Sequence, residues 1–260
     1  MAIRVGLLGF GRTGSVVAKE LVSDSELSLQ WVCRKTINPA LTYASHALGF
    51  DGNFSPFVAF DKLTPEFMKK NPVDVVIDFS SGKATALYNT LADAGVRIVT
   101  AISKYTPEEE ALIKDASLKT AILSSPNITL GINWLMIASK VLQKIIPLAD
   151  IEVIEEHFRD KKETSGTALR LANHLDIDPQ LHVNSIRVGG VVGKHEVIFG
   201  LPNQTIRIVH ESINRAAFGT GAAFAGKWLQ HKPAGLYSME QVIHEKFMRK
   251  VKELDFETTA

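Results

Sequence analysis

The segment over residues 155–168 groups residue types that could handle a proton and a small anion. A histidine, His157, exchanges protons near neutral pH in most settings, and Lys161 adds a positive charge four residues later. Ser165-Gly166-Thr167 opens a predicted helix, whose first N–H groups face any anion placed there. This set predicts a site where a carboxylated molecule is bound and protonated.

A second candidate site lies near the start of the chain. It consists of Gly9, Phe10, Gly11, Arg12, Thr13 and Gly14. In a motif of this spacing the first glycine allows a tight turn, the second lets the backbone approach a pyrophosphate, and the third lets helix and strand pack closely. An apolar strand over 3–8 precedes the motif and a helix over 15–22 follows. Because both flanking elements are present, we interpret the motif as the pyrophosphate site of a nicotinamide dinucleotide, with an ordinary glycine-rich turn as the alternative.

The end of the second predicted strand bears on which dinucleotide binds. An acidic residue there holds a ribose 2′-hydroxyl, whereas an arginine accommodates a 2′-phosphate. Arg34 and Lys35 occupy that place, and a guanidinium can hold a phosphate through two parallel hydrogen bonds. We therefore expect NADPH to be preferred over NADH, the alternative being that the two basic residues only solvate a loop.

Alternating strands and helices position these residues in the first half of the chain. Strands are predicted over 27–33, 74–79, 97–102 and 121–123, with a helix over 83–93 between them. A further helix begins at Thr106, with Pro107 at its first position and Glu109 as the capping partner. The alternation predicts an N-terminal Rossmann-type, doubly wound parallel sheet in an α/β protein.

The pattern changes after Asn127. Helices over 130–146 and 167–175 and a strand over 151–158 are followed by strands over 184–192, 195–201 and 205–212, whose short connections suggest an antiparallel meander. We expect residues 1–127 to bind the dinucleotide and 128–221 to form a smaller α+β substrate-binding and oligomerisation domain with a mixed or antiparallel sheet. The segment over about 222–260 is expected to pack back on the first domain, ending in a surface helix.

Composition excludes several classes of function. The net charge of +1 provides no long-range field to attract nucleic acid or an anionic membrane. The single Cys33 forms no internal disulfide, and neither a signal peptide nor an apolar run long enough to span a membrane is found. We expect a cytoplasmic protein without a metal site.

The chain resembles the dihydrodipicolinate reductase family. That family's signature has a glutamate, paired histidines, a lysine four residues after the first histidine, and Asp-Ala-Pro-Ser-Gly-Thr. Here it is matched at Glu155, His157, Lys161 and the Ser-Gly-Thr turn over 165–167. The resemblance spans nearly the whole chain and also includes 78–80, 126–131, 185–187, 192–196 and 210–221.

The resemblance implies reduction of 4-hydroxy-tetrahydrodipicolinate to tetrahydrodipicolinate in the diaminopimelate route to lysine. His157 would be the general acid and Lys161 the cation that binds a carboxylate or assists proton transfer. The other carboxylate would be held by Ser165, Gly166 and Thr167, with Ser103 as a further substrate contact. Cofactor contacts beyond the glycine turn and Arg34-Lys35 would come from Phe79, Ser80, Ala101, Ser103, Pro126 and Asn127. Family members are commonly homotetramers built through the substrate-domain sheet, so a homotetramer is expected.

Several positions depart from the family pattern. Phe158 replaces the second histidine, and the loop from Lys161 to Ser165 is one residue shorter, so that Lys161 and Lys162 compete for the lysine position. The family's Gly-Thr-Thr-Gly loop, where nicotinamide and substrate meet, is replaced by residues 101–104, Ala-Ile-Ser-Lys. Two alternatives therefore stay open: an oxidoreductase acting on another amino or imino acid, and a non-catalytic dinucleotide sensor. Retention of both His157 and Lys161 argues against the sensor.

Overall fold

The computed structural model describes residues 1–254, which form two compact units. The first unit takes in Met1–Ile128 and Phe218–Met239, and the second takes in Thr129–Ala217 and the chain from Glu240 onward. The strands are β1 Ile3–Leu8, β2 Leu27–Cys33, β3 Phe57–Val58, β4 Val75–Asp78, β5 Arg97–Thr100, β6 Ala121–Ser124, β7 Asp150–His157, β8 Val183–Arg187, β9 Lys194–Leu201, β10 Gln204–Glu211 and β11 Gly235–Tyr237.

Ten α-helices accompany these strands, with short 3-10 helices at Phe60–Lys62 and Gly82–Leu87. The α-helices are α1 Gly14–Ser23, α2 Ala44–Ala47, α3 Pro65–Lys70, α4 Tyr88–Asp93, α5 Pro107–Ser117, α6 Leu130–Ile145, α7 Gly166–His174, α8 Pro179–His182, α9 Ala216–Leu229 and α10 Met239–Glu253. The count covers the described residues only.

The first unit is built on a seven-stranded parallel sheet in the order β11-β6-β5-β4-β1-β2-β3. The chain runs outward from β1 in one direction through β2 and β3, and in the other through β4, β5 and β6. The sheet therefore has its topological switch point between β1 and β4, where such folds bind ligands at the carboxyl ends of the strands. This confirms the predicted Rossmann-type architecture.

Apolar runs in the strands explain why this sheet is buried on both faces. Val5 and Leu7 of β1 and Ile98 of β5 are fully buried, as parallel strands covered by helices require. Trp31 of β2 shares a core with Ile98, and it packs so closely that a Cβ added at Gly6 would lie 2.3 Å from its ring. The capping box predicted at Thr106 is confirmed, since its hydroxyl accepts from the Glu109 N–H and the Glu109 carboxylate accepts in return from the Thr106 N–H.

The second unit has a four-stranded mixed sheet in the order β10-β9-β7-β8. β7 pairs antiparallel with β9 and parallel with β8, and β9 and β10 form an antiparallel hairpin. The predicted three-stranded meander is therefore wrong for its first strand. The cause is the connection from β7 through α7 and α8, because a helical crossover returns the chain parallel to the strand it left.

Side chains of the sheet and of two helices form the core of the second unit. Val153, Val197 and Phe199 are fully buried against Leu135 of α6 and Leu171 of α7. Residues of β7 alternate strictly, so that positions 151, 153, 155 and 157 face this core. A charged residue, Glu155, and a histidine, His157, thus lie on the buried face of the strand.

Residues 222–260 were expected to pack on the first domain, but the C-terminal segment is divided between the two units. The part that groups with the first unit is Phe218–Met239, whereas residues from Glu240 group with the second. Two side-chain contacts explain this: Arg170 Nη2 lies 3.5 Å from Glu240 Oε1, and the rings of Trp134 and Phe247 are 5.2 Å apart. The predicted surface helix corresponds to α10, and the end of the predicted tail, residues 255–260, lies outside the described residues. Across residues 1–254 no helix is long and apolar enough to cross a membrane.

Candidate functional site

The glycine turn between β1 and α1 has the geometry that its spacing predicts. Gly9 has a φ of +96°, and a Cβ there would lie 2.8 Å from the Phe79 backbone. A Cβ at Gly14 would lie 2.2 Å from the Gly9 carbonyl oxygen, so helix and strand meet only because Gly14 has no side chain. Around Gly11 no atom lies within 4 Å of an added Cβ, which leaves its backbone open to an approaching ligand.

A pocket of about 330 Å³ in the first unit lies at the carboxyl ends of β4 and β5, next to this turn. Its lining includes six of the residues predicted to bind the cofactor. These are Thr13, Phe79, Ser80, Ala101, Ser103 and Pro126. Apolar side chains of Ile102, Ile128 and Phe218 complete the lining. The other predicted residues of the glycine turn, together with Arg34, Lys35 and Asn127, are not part of this lining.

A buried carboxylate, Asp78, supports the wall of that pocket at the end of β4. Its Oδ1 accepts hydrogen bonds from the Ser80 N–H (2.8 Å) and the Ser80 hydroxyl (2.6 Å), and its Oδ2 accepts from the Tyr88 hydroxyl (2.8 Å). Burial raises the pKa of Asp78 to about 6, although these hydrogen bonds act to lower it. These hydrogen bonds hold in place the turn that carries Phe79 and Ser80.

Arg34 follows β2 and lies against two aromatic rings. Its Cζ is 4.7 Å from the centre of the Phe57 ring and 6.0 Å from that of Phe10, and the two rings meet edge to face. Such contacts hold a guanidinium in place while leaving its N–H groups available. Lys35 is exposed. Of the two basic residues, Arg34 is the one that the structure positions beside the glycine turn.

The second unit holds His157 and Glu155 at the end of β7, on its buried face. Glu155 is completely buried, and its Oε2 accepts a hydrogen bond from His157 Nδ1. The Glu155 carboxylate also accepts from the Ser185 hydroxyl (2.6 Å) and from the Ser165 N–H (3.1 Å). His157 is 8% exposed, so its ring is nearly enclosed.

Arg187 of β8 completes the surroundings of Glu155. Its Nη1 donates to Glu155 Oε2 (2.9 Å) and its Nη2 to Oε1 (2.7 Å), a bidentate ion pair. Burial raises the pKa of the Glu155 carboxyl, but the hydrogen bonds from Arg187, Ser185, Ser165 and His157 outweigh it and lower the pKa to about 2. Glu155 is therefore ionised throughout the physiological range.

The Ser165 turn lies directly beside this group. The Ser165 hydroxyl caps α7 by accepting from the Thr167 N–H (3.2 Å), and it is 3.0 Å from His195 Nε2. His195 is 6% exposed. Burial, and to a lesser extent the nearby His157, lowers its pKa to about 3, so the His195 ring is neutral. The rings of His157 and His195 are 5.3 Å apart. Gly166 lies at the first position of α7 and is exposed, so the helix N-terminus is open to an anion.

The loop before this turn carries the two candidate lysines. Lys161 is half-buried and Lys162 is exposed. Arg187 Nε donates to the Lys161 carbonyl (2.8 Å) and Nη2 to the Glu163 carbonyl (2.9 Å), which ties the loop to the ion pair. Phe158, in the position of the family's second histidine, is 44% exposed.

Sequence reasoning assigned no role to four residues of the site. Glu155, Ser185, Arg187 and His195 were noted only as positions shared with the family, without a role. A signal for Glu155 was available, because residues two apart on a strand face the same side and a carboxylate on a buried face needs a partner. Within residues 1–254 no group of three or more His, Cys, Asp or Glu side chains could hold a metal ion.

Comparison with known proteins assigns the family. Two family models match, described as dihydrodipicolinate reductase N-terminus over residues 3–128 and C-terminus over 131–243. Similar curated relatives are 4-hydroxy-tetrahydrodipicolinate reductases from Caldanaerobacter subterraneus subsp. tengcongensis (34% identity, 67% of this chain and 78% of the relative) and Thermosipho africanus (30% identity, 76% and 90%).

A solved structure shows the same fold. It is the dipicolinate-bound dihydrodipicolinate reductase of a Paenisporosarcina species, with a TM-score of 0.76, 20% identity, and coverage of 93% of this chain and 100% of that one. The two family models together cover most of this sequence, and they meet near residue 128, where the chain passes from the first unit to the second. The chain therefore belongs to the dihydrodipicolinate reductase family.

Proposed function

We propose that this protein reduces 4-hydroxy-tetrahydrodipicolinate to tetrahydrodipicolinate with NADPH, a step of the diaminopimelate route to lysine. The observation that carries the proposal is the cluster of His157, Glu155 and Arg187 beside the Ser165 turn, in a chain of this family. A nearly enclosed histidine beside the open N-terminus of α7 supports a role in proton transfer to a small dicarboxylate.

In the second unit, His157 acts as the general acid and the turn after Lys161 binds the substrate. The Ser165-Gly166-Thr167 turn that opens α7 holds one carboxylate, because helix N-termini stabilise anions. Lys161 supplies the positive charge for the other carboxylate or assists proton transfer. Its half-buried position and the hydrogen bond from Arg187 to its carbonyl favour it over the exposed Lys162.

In the first unit, the glycine turn and the adjacent pocket bind the dinucleotide. The open backbone at Gly11 and the N-terminus of α1 suit the pyrophosphate, and the pocket wall formed by Phe79, Ser80 and Ala101 suits the nicotinamide end. Ser103 offers a hydroxyl at the same wall, for cofactor or substrate. When bound, the reduced nicotinamide supplies the hydride. The close packing at Gly9 and Gly14, where an added Cβ would collide with backbone atoms, supports the assignment of this turn to a dinucleotide pyrophosphate.

Preference for NADPH over NADH is proposed to depend on Arg34. Its guanidinium is held against the Phe57 ring, where it can pair with a 2′-phosphate. Arg34→Asp is expected to weaken NADPH binding at least tenfold more than NADH binding, because it replaces attraction of the phosphate by repulsion. Fluorescence titration with each nucleotide measures this, with Lys35→Asp as the neighbouring control. An equal loss for both nucleotides would refute the role of Arg34.

A homotetramer assembled through the sheet of the second unit is the proposed solution state. The sheet face opposite the core carries the apolar Ile154, Ile186, Ile198 and Val209, with Val209 50% and Ile186 43% exposed. An apolar strip on an otherwise polar sheet face is typical of a subunit interface. Light scattering should give four times the 28.5 kDa chain mass, and a monomer would refute the proposal. The biosynthetic role and the single buried Cys33 support a cytoplasmic location.

The function is tested by following NADPH absorbance with the purified protein and substrate freshly made from pyruvate and aspartate semialdehyde. Robust turnover, with tetrahydrodipicolinate identified by mass spectrometry, is expected. Turnover confined to other imino acids would favour a related oxidoreductase. Cofactor binding without any turnover would favour a dinucleotide sensor.

A further inference from the structure

We propose that Glu155, clamped by Arg187, is a positioning residue that fixes the tautomer of His157, so that Nε2 is the atom that delivers the proton. The inference deepens the proposed function, on which it rests, by assigning the proton to one nitrogen and naming the residues that place it there. It rests on the hydrogen bonds from Arg187, at the end of β8, to Glu155 of β7, two residues that are 32 positions apart in the chain.

The tautomer follows from the charge of Glu155. An ionised carboxylate only accepts hydrogen bonds, so the hydrogen between it and His157 Nδ1 belongs to the imidazole. Neutral His157 then carries its hydrogen on Nδ1, and any second proton enters and leaves at Nε2. Because the ring is nearly enclosed, this hydrogen bond also sets the direction in which Nε2 points.

Arg187 makes the position of Glu155 rigid. Its two hydrogen bonds to the carboxylate use the planar fork of the guanidinium, and the Ser185 hydroxyl and Ser165 N–H occupy remaining lone pairs of the same group. The other N–H groups of Arg187 bind the carbonyls of Lys161 and Glu163. One cation thus fixes both the partner of the acid and the loop that carries the proposed substrate lysine.

Gly193 keeps the Nε2 side of the ring uncrowded. A Cβ at this position would lie 3.1 Å from His157 Nε2, closer than ordinary carbon–nitrogen contact. The backbone of Gly193 is held by the Ser212 N–H, which donates to its carbonyl at 2.8 Å, so it has little freedom to retreat. The 4-hydroxyl of the substrate leaves first as water, which gives an unsaturated ring. In the reduction itself the Nε2–H bond breaks and the proton joins the ring atom beside the one that would receive the hydride, and solvent then restores the proton on Nε2.

The first test compares Glu155→Gln with Glu152→Gln. Glu152 lies on the same strand and also accepts from a histidine, His182 Nδ1 at 2.8 Å, but is partly exposed. Glu155→Gln is expected to lower kcat by about ten- to a hundredfold with little change in KM, and to shift the alkaline limb of the kcat profile to lower pH, because the imidazolium loses its carboxylate. Glu152→Gln should leave both unchanged. Unaltered kcat and pH profile in Glu155→Gln would overturn the proposal.

A second pair of variants leaves the buried ion pair intact. Gly193→Ala should lower kcat at least tenfold by crowding Nε2, whereas Gly190→Ala, where an added Cβ meets no atom within 4 Å, should not. Wild-type kcat in Gly193→Ala would contradict the assignment of Nε2.

The closing experiment reads the tautomer without turnover. Nitrogen NMR of the wild-type protein labelled at histidine, with His157→Gln to identify the signal, is expected to show Nδ1 protonated and Nε2 bare in neutral His157. The opposite tautomer would overturn the inference even if the enzyme turned over well. An Nδ1–H tautomer in a protein that fails to reduce the substrate would sustain the positioning role of Glu155 and refute the proposed function instead.

Discussion

Asp78→Asn is expected to change how the stability of the first unit depends on pH. Burial raises the pKa of Asp78 from 3.8 to about 6, so the folded protein binds this proton more tightly than the unfolded chain does. The free energy of unfolding therefore falls as pH rises from about 4 to about 6, and this contribution is constant above that range. At roughly 1.4 kcal/mol per pKa unit, the ionised carboxylate lowers stability by about 3 kcal/mol at neutral pH.

The assay is urea unfolding of wild type and Asp78→Asn at pH 4.5 and pH 7.5, followed by tryptophan fluorescence and circular dichroism. About a third of the destabilisation by the ionised carboxylate is already present at pH 4.5. The free energy of unfolding of Asp78→Asn, relative to that of wild type, should therefore rise by about 2 kcal/mol from pH 4.5 to pH 7.5. Asp51→Asn, at an exposed position in the same unit, is the control and should follow wild type. Parallel stability curves for Asp78→Asn and wild type would refute the reasoning.

Other substitutions test the glycine turn and the buried ion pair. Gly14→Ala should destabilise the protein by about 2 kcal/mol in thermal unfolding, because the new Cβ would lie 2.2 Å from the Gly9 carbonyl oxygen. Gly11→Ala should melt like wild type but bind NADPH more weakly in fluorescence titration, and a melting loss as large as that of Gly14→Ala would contradict the assigned roles. Because the pKa of Glu155 is lowered from 4.5 to about 2, its ionised carboxylate should add about 3 kcal/mol to the free energy of unfolding above pH 4.5. This contribution is lost as the pH falls toward 2. Acid titration of Glu155→Gln should lack that loss, and an acid transition identical to wild type would argue against the ion pair with Arg187.

The features that the sequence predicts correctly are those that depend on neighbouring residues. Five of the seven strands of the first unit follow from apolar runs, whereas the short β3 and β11 were not predicted. The start of α5 follows from Thr106 and Glu109, and the turn after β1 from the spacing of Gly9 and Gly14. In each case the interaction that decides the structure lies within a few residues along the chain. The same local patterns predicted that the large sheet is parallel.

The features that could not be predicted from the sequence depend on contacts between residues that are distant in the chain. β8 was expected in a meander, and its parallel place beside β7 depends on the crossover through α7 and α8. Glu155 and Arg187 are 32 residues apart, so their ion pair could not be read from spacing. The perturbed pKa of Asp78 depends on burial under Tyr88 and the pocket wall, which only the assembled unit creates.

The central claim is that His157 is the acid of a reductase, and one comparison tests it most directly. The rate of NADPH oxidation with freshly made 4-hydroxy-tetrahydrodipicolinate is measured for wild type, His157→Ala and His182→Ala. His182 is a fair control, because its Nδ1 also binds a carboxylate of β7, that of Glu152. Loss of a general acid lowers kcat by about a hundredfold or more, so His157→Ala should fall by that factor while His182→Ala keeps wild-type kcat. Equal rates in all three proteins would contradict the account.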